Sequence, residues 1–195
     1  ILSANIIVDA TGKSFTPKTH AIVKKGKLRI GIFGLTTPST ITTSNPKSTR
    51  GLTFLSKEAM YKAAQKEVDA LKAAHCDLIV AIGHLGSEPD AAGDRSNDVL
   101  ENVKGINVFI DGHDHTAKNL YIGSALLAET GAHLANIGVI TYENGKWTED
   151  LHAYGRFNQE DAKVKALVDQ AQSDIDRELS TVVGKTTIDL DGSRD

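Results

Sequence analysis

At 195 residues, 40% hydrophobic and 24% charged, the chain has an ordinary globular composition, with room for one domain or one domain and a fragment of another. Its net charge of -3 and 5% aromatic content argue against a nucleic-acid or anionic-membrane surface, and no apolar run reaches membrane-spanning length. Cys76 is the single cysteine, which excludes an internal disulfide; between a helical and a strand pattern it reads as a buried, inert thiol.

Residues 1–8 read as a strand and residues 9–19, with Gly12 and Pro17, as a loop. Ala21-Ile22-Val23 and Leu28-Arg29-Ile30-Gly31-Ile32-Phe33-Gly34 flank Lys25-Gly26 and predict a hairpin. Residues 39–55, rich in Ser and Thr and holding Pro46, predict a long loop. Ser56 can cap a helix running to about Ala74, in which Met60, Ala64, Val68 and Leu71 recur at helical spacing as a core stripe. Leu78-Ile79-Val80-Ala81-Ile82 has the length and composition of a buried strand. Residues 87–94, with Pro89 and Gly93, form a polar loop; Ser96 opens a short helix, ended by Gly105, with Val99, Leu100 and Val103 on one face. A strand over 106–110 follows. This alternation predicts parallel βαβ units, with strands 28–33, 78–82 and 106–110 as neighbours in one sheet and both helices on one face.

Short strands are predicted next at 125–128, 137–142 and 147–154, with Asn144-Gly145 as a type I′ turn. They are expected to be antiparallel, in a second sheet or at an edge. Asn158 is the predicted N-cap of a helix whose Val164, Leu167, Ala171, Ile175 and Leu179 form an apolar stripe, with Glu160 and Asp161 in its first turn. Residues 181–190 read as a strand. The domain reading is an α/β body over 1–156, a connecting helix over 157–180 and the start of another domain over 181–195. Both ends are abrupt, so the chain is expected to be cut from a longer protein.

Chemistry concentrates where strands meet Gly-His. The strand 78–82 runs into Gly83-His84-Leu85-Gly86, and Val108-Phe109-Ile110 runs through Asp111 into Gly112-His113-Asp114-His115-Thr116. In open α/β sheets ligands collect beyond the carboxyl ends of parallel strands. Two neighbouring strands ending this way would bring His84, His113 and His115 into one crevice. If the chain stays extended past Gly112, His113 and His115 project together and Asp114 points away. Imidazole is the commonest metal ligand, so the three histidines form a candidate divalent-metal site; the alternative is that each is only a loop or cap residue. Asp111 and Asp114 are candidates to orient an imidazole, or, for Asp114, to sit exposed in the loop. His20, His75, His133 and His152 lie outside the pattern and read as structural or surface residues, His133 least securely.

Other motifs fail on spacing. Gly12-Lys13-Ser14 and Gly184-Lys185-Thr186 would need a leading Gly where Ile7 and Leu179 stand, so neither is a phosphate-binding P-loop. No dinucleotide fingerprint or Gly-x-Ser-x-Gly elbow is present.

In order, Leu2-Ser3-Ala4-Asn5, Gly31-Ile32-Phe33-Gly34-Leu35-Thr36-Thr37-Pro38, Gly83-His84-Leu85-Gly86 and Phe109-Ile110-Asp111-Gly112-His113-Asp114-His115-Thr116 resemble the later motifs of the 5′-nucleotidase family of calcineurin-like metallophosphoesterases. The resemblance implies an α/β fold: part of an α/β/β/α sandwich, with parallel βαβ units and antiparallel strands, followed by a linker helix. It implies two divalent metal ions, Zn, Mn or similar, with His84 and His113 on one and His115 on the other. It implies hydrolysis of a nucleotide or other phosphate-ester substrate, and a secreted, periplasmic or cell-wall location. The family's upstream motifs, which supply the bridging carboxylate, and most of its C-terminal nucleotide-binding domain have no counterpart here. The missing N-terminal half and C-terminal domain of the same enzyme are thus the expected partners, with no nucleic acid and no membrane-spanning segment. The fragment alone is expected to be inactive. Alternatives are a 2′,3′-cyclic-nucleotide phosphodiesterase/3′-nucleotidase or UDP-sugar hydrolase of the same family, a non-catalytic metal-binding module, and an amidohydrolase-like enzyme, whose His-x-His would open an eight-fold βα barrel.

Overall fold

The computed structural model describes residues 1–156 and 159–192. The chain divides into two compact units, Ile1–Tyr154 and Gly155–Asp195.

In the first unit the elements run β1 Ile6–Val8, β2 Lys13–Ser14, β3 His20–Lys25, β4 Leu28–Thr36, α1 Thr40–Thr43, α2 Pro46–Thr49, β5 Leu52–Phe54, α3 Lys57–Ala73, β6 Leu78–His84, α4 Ser96–Asn102, β7 Val108–Ile110, β8 Ala117–Ile122, β9 Ala125–Thr130, β10 Asn136–Glu143 and β11 Lys146–Ala153. A six-stranded sheet has the order β3-β4-β6-β7-β9-β8. Strands β4, β6, β7 and β9 are parallel, and the edges β3 and β8 are antiparallel. The three strands predicted as parallel neighbours are so, and the open, mixed sheet is not the barrel an amidohydrolase would need. Because β4, β6, β7 and β9 share a direction, their carboxyl ends form one edge.

Helices α3 and α4 cover one face, as expected. Met60, Ala64, Val68 and Leu71 of α3 are fully buried and join Val99 and Leu100 of α4 in one core cluster with Phe33, Ile79, Ala81, Phe109 and Leu127. On the other face Val108, Leu126 and Ala128 meet Ile140 of β10 and Trp147 of β11. That hairpin turns at Asn144 and Gly145, both at positive φ, as a type I′ turn requires.

Several expectations are corrected. Only Ile6–Val8 of residues 1–8 is strand. Ahead of it, Ala4 N–H reaches Gly34 O at 2.8 Å, and the fully buried Asn5 side chain takes over, bonding Thr36 N, Thr36 O and Leu55 O. The predicted loop 39–55 holds α1, α2 and β5, the last pairing with β1 across a small antiparallel sheet, β2-β1-β5. Ser56 makes no side-chain cap; Lys57 N–H is taken instead by Asp94 Oδ1 at 2.7 Å. Strand 106–110 begins only at Val108. Strand β8 was not foreseen, because Lys118 and Asn119 near its start interrupt any apolar run or apolar–polar alternation. Strand β9 lies in the main sheet, parallel to β7 and antiparallel to the edge strand β8, rather than in a second sheet. Cys76 is half-buried at the edge of the core rather than enclosed.

Helix α4 is held at its start by a carboxylate. Asp98 accepts from Gly93 N, Arg95 N and the Arg95 guanidinium at 2.7–3.1 Å. The Arg95 hydrogen bond is the main reason that Asp98 lies below the usual carboxylate range, against the opposing effect of burial. A lowered folded-state pKa gives stability that is complete above the unfolded value of about 3.9 and is lost as pH falls through the folded one. Urea midpoints should therefore drop as the pH is lowered below about 4, and Asp98→Asn should flatten that part of the profile. An unchanged profile in Asp98→Asn would assign the acid sensitivity elsewhere.

In the second unit α5 spans Ala162–Leu179. Its N-cap is Asp161, whose carboxylate accepts from Lys163 N and Val164 N; the predicted cap Asn158 lies outside the described residues. Residues 181–190 form no strand: a strand needs a partner ladder, and here Thr186 Oγ1 bonds locally to Ile188 N and O instead. No helix among the described residues is long and apolar enough to cross a membrane.

Candidate functional site

Three parallel strands deliver histidines to the carboxyl edge. His84 ends β6, His113 and His115 follow β7, and His133 follows β9 through Gly131. All four are exposed. His113 Nδ1 lies 3.2 Å from His84 Nε2, with the rings in a T-shaped contact at a centroid distance of 4.9 Å. His115 stands against His133 instead, at a ring-centroid distance of 5.5 Å. From the sequence His133 reads as a structural or surface residue; the signal that could have retained it is its place two residues after Gly131 at the end of a strand, a looser form of the strand-Gly-His punctuation.

The chain does not stay extended past Gly112. His113 has φ 104 and His115 φ 58, and His133 and Leu134 are also at positive φ. Such values are strained for residues with a Cβ, cost on the order of 1–3 kcal/mol each, and cluster at binding and catalytic sites. The turn of the backbone, rather than strand alternation, aims the two imidazoles.

Two carboxylates bind the loops together. Asp111 accepts Leu85 N at 2.9 Å and Gly86 N at 3.0 Å. Burial pushes its pKa up, partly offset by these backbone bonds. Asp114 accepts Ser87 N at 2.6 Å and Ser87 Oγ at 2.8 Å. Its side chain is 2% exposed, so it is not a free loop residue, and the hydrogen bonds described for it go to Ser87 and Lys118 rather than to an imidazole. Lys118 lies 3.3 Å from Asp114 Oδ2 and 2.9 Å from Glu129 Oε1, and also donates to Ser87 Oγ. Burial works against the Lys118 charge, but Glu129 and Asp114 outweigh it and hold its pKa above the usual value. Nothing in the sequence pattern marked Lys118 or Glu129, because buried charge pairs leave no periodic signature.

The His84–His113 pair can act in two ways. As neutral rings, one donates N–H to the other. Alternatively both nitrogens can face one cation: Zn–N bonds of about 2.0–2.1 Å place neighbouring tetrahedral ligands roughly 3.3–3.4 Å apart, close to the observed 3.2 Å. The donor set fits a divalent metal as far as it goes; among the described residues no three His, Cys, Asp or Glu side chains are grouped to hold one.

The sheet, its helix-covered face and the histidine-bearing edge have the fold of calcineurin-like phosphoesterases. The structure of calcineurin-like phosphoesterase YfkN from Bacillus subtilis matches with a TM-score of 0.75 at 18% identity, over 93% of this chain and 64% of that one. The structure of a 5′-nucleotidase precursor from Thermus thermophilus matches with a TM-score of 0.69 at 24% identity, over 89% of this chain and 38% of that one. In sequence, the chain is similar along 99% of its length to 5′-nucleotidase of Mus musculus, at 28% identity over 231 residues. It spans 37% of that relative's length. No protein-family model matches the chain.

Proposed function

We propose that the chain is part of a metal-dependent phosphohydrolase acting on nucleotides, with His84 and His113 on one divalent ion and His115 on a second. The observation that carries this is the 3.2 Å approach of two imidazole nitrogens, from two loops, at the carboxyl edge of parallel strands. The placing of His115 outside that pair suits a separate ion. Similarity to 5′-nucleotidases supports a nucleoside 5′-monophosphate as substrate. A pair of bound divalent ions would polarise the phosphate and supply a hydroxide nucleophile. The bridging carboxylate and remaining ligands come, in this reading, from a part of the enzyme outside this chain. Residues 157–180 serve as the linker, and 181–195 open a further, nucleotide-binding domain. Action outside the cytoplasm, secreted or periplasmic, belongs to the same proposal.

The test has two parts. Titrated with Zn2+ or Mn2+, the chain should bind through the His84–His113 pair, and His84→Ala should abolish that binding. The longer protein should release phosphate from a nucleoside 5′-monophosphate in a chelator-sensitive way, whereas this chain alone should not turn over at ordinary rates of about 1–1000 per second. Hydrolysis that survives chelation would overturn the metal assignment.

A further inference from the structure

We propose that Lys118, with Asp114 and Glu129, is a positioning device that sets the geometry of the His84–His113 pair; this rests on the reading of that pair as metal-binding.

The sheet ladder alone places His84, paired with Thr36 of β4, but not His113. The β6–β7 register ends at the pair Ile82–Ile110, so the segment over 83–87 and the loop over 111–116 are not paired with each other by the ladder. Side chains of the second loop take hold of three consecutive amides of the first: Asp111 holds Leu85 and Gly86, and Asp114 holds Ser87. The amides belong to the segment that carries His84, and the carboxylates to the segment that carries His113. There is no slack between them. At Gly86, with φ +73, an added Cβ would lie 2.0 Å from Asp114 Oδ1 and 3.0 Å from His113 Cδ2.

A buried carboxylate without a counter-ion is costly, and Asp114 relies on Lys118. Lys118 stands directly across from Glu129 in the β8–β9 ladder and pairs with it as well. Glu129, 1% exposed, then accepts Thr116 Oγ1 at 3.0 Å, just beyond His115. The charges thus tie the exit of β7 to the rigid β8–β9 ribbon. Glu129 and Asp114 have no role as surface solubility groups, being buried, and the loops they fix end in the exposed imidazoles. Outer partners of metal ligands commonly change metal affinity 10–100-fold when removed, by letting the ligand swing.

Zn2+ alone is the probe, measured by calorimetry well below the melting temperature, beside the ring-to-ring NMR contact of His84 and His113 without metal. Asp114→Ala and Lys118→Met should each weaken Zn2+ binding about tenfold and lose the ring contact. Glu67→Gln supplies the structural control: it removes the charge of the buried Glu67 carboxylate that holds the half-buried His20, outside the site, and should lower melting while leaving both readouts unchanged. Folded Asp114→Ala and Lys118→Met proteins that bind Zn2+ within about twofold of the parent would overturn the proposal. Should both fail to fold, Ser87→Ala decides: it removes only the hydroxyl shared by Asp114 and Lys118, and should weaken binding about fivefold, no change counting against. If this chain alone binds no Zn2+, the same variants are titrated in the longer protein, which supplies the remaining ligands, and within this chain the positioning role stands or falls on the ring contact.

Discussion

Replacing His113 by glycine should remove Zn2+ binding and, at the same time, make the metal-free chain more stable. The two effects come from one observation. His113 contributes one of the two nitrogens 3.2 Å apart, yet it sits at φ 104, where a Cβ is unfavourable. Loss of a direct ligand should cost at least as much as loss of an outer partner, so affinity should fall by more than about tenfold. Glycine adopts positive φ without strain, and relief should raise stability by about 1 kcal/mol, less the extra freedom gained by the unfolded chain. His113→Ala should lose the binding without the gain in stability, because alanine keeps the Cβ. Calorimetry with Zn2+ and urea titration of the three proteins make the comparison. If His113→Gly bound Zn2+ like the parent, the Gly-His pattern would be strand-end punctuation and nothing more. The half-buried His152, on β11, supplies a control, since His152→Ala should leave Zn2+ binding unchanged.

Gly83→Val should be strongly destabilising to the first unit. A Cβ at position 83 would lie 2.3 Å from Phe109 Cε1, 2.7 Å from Phe109 Cζ and 2.8 Å from Asp111 Oδ1. Phe109 is fully buried in the main core and has nowhere to go. Overpacking of this kind costs about 1–3 kcal/mol. Displacing Asp111 also strips Leu85 N and Gly86 N of their acceptor, at about 1–3 kcal/mol for a buried orphaned group. The expected loss is thus about 3 kcal/mol or more, read as a fall in the urea midpoint; Gly83→Ala should give a smaller loss of the same sign. A change within about 1 kcal/mol would mean that Phe109 can swing aside. This glycine, at the end of β6, serves close packing beneath the site, in contrast to Gly86, whose left-handed backbone turns the loop.

What could be read from the residues was whatever repeats locally. The strand runs 28–34 and 78–82, the stripe Met60-Ala64-Val68-Leu71 and the Asn144-Gly145 turn each carry their period or turn chemistry in a few neighbouring residues, and all are found in place, although Leu28 and Ile82 are exposed rather than buried. The parallel order of β4, β6 and β7 followed from the helices between them. The same punctuation of strands by Gly-His marked His84 and His113, which the fold brings into contact. Only the tertiary structure set His115 against His133, because β9 joined the sheet beside β7, a pairing between segments with no local signature. It alone decided that residues 181–190 have no ladder and that Asn5 side-chain bonds replace one. It alone paired Lys118 with Asp114 and Glu129, since a charge is worth burying only where a partner from elsewhere in the chain stands within bonding distance, and sequence period says nothing of that distance.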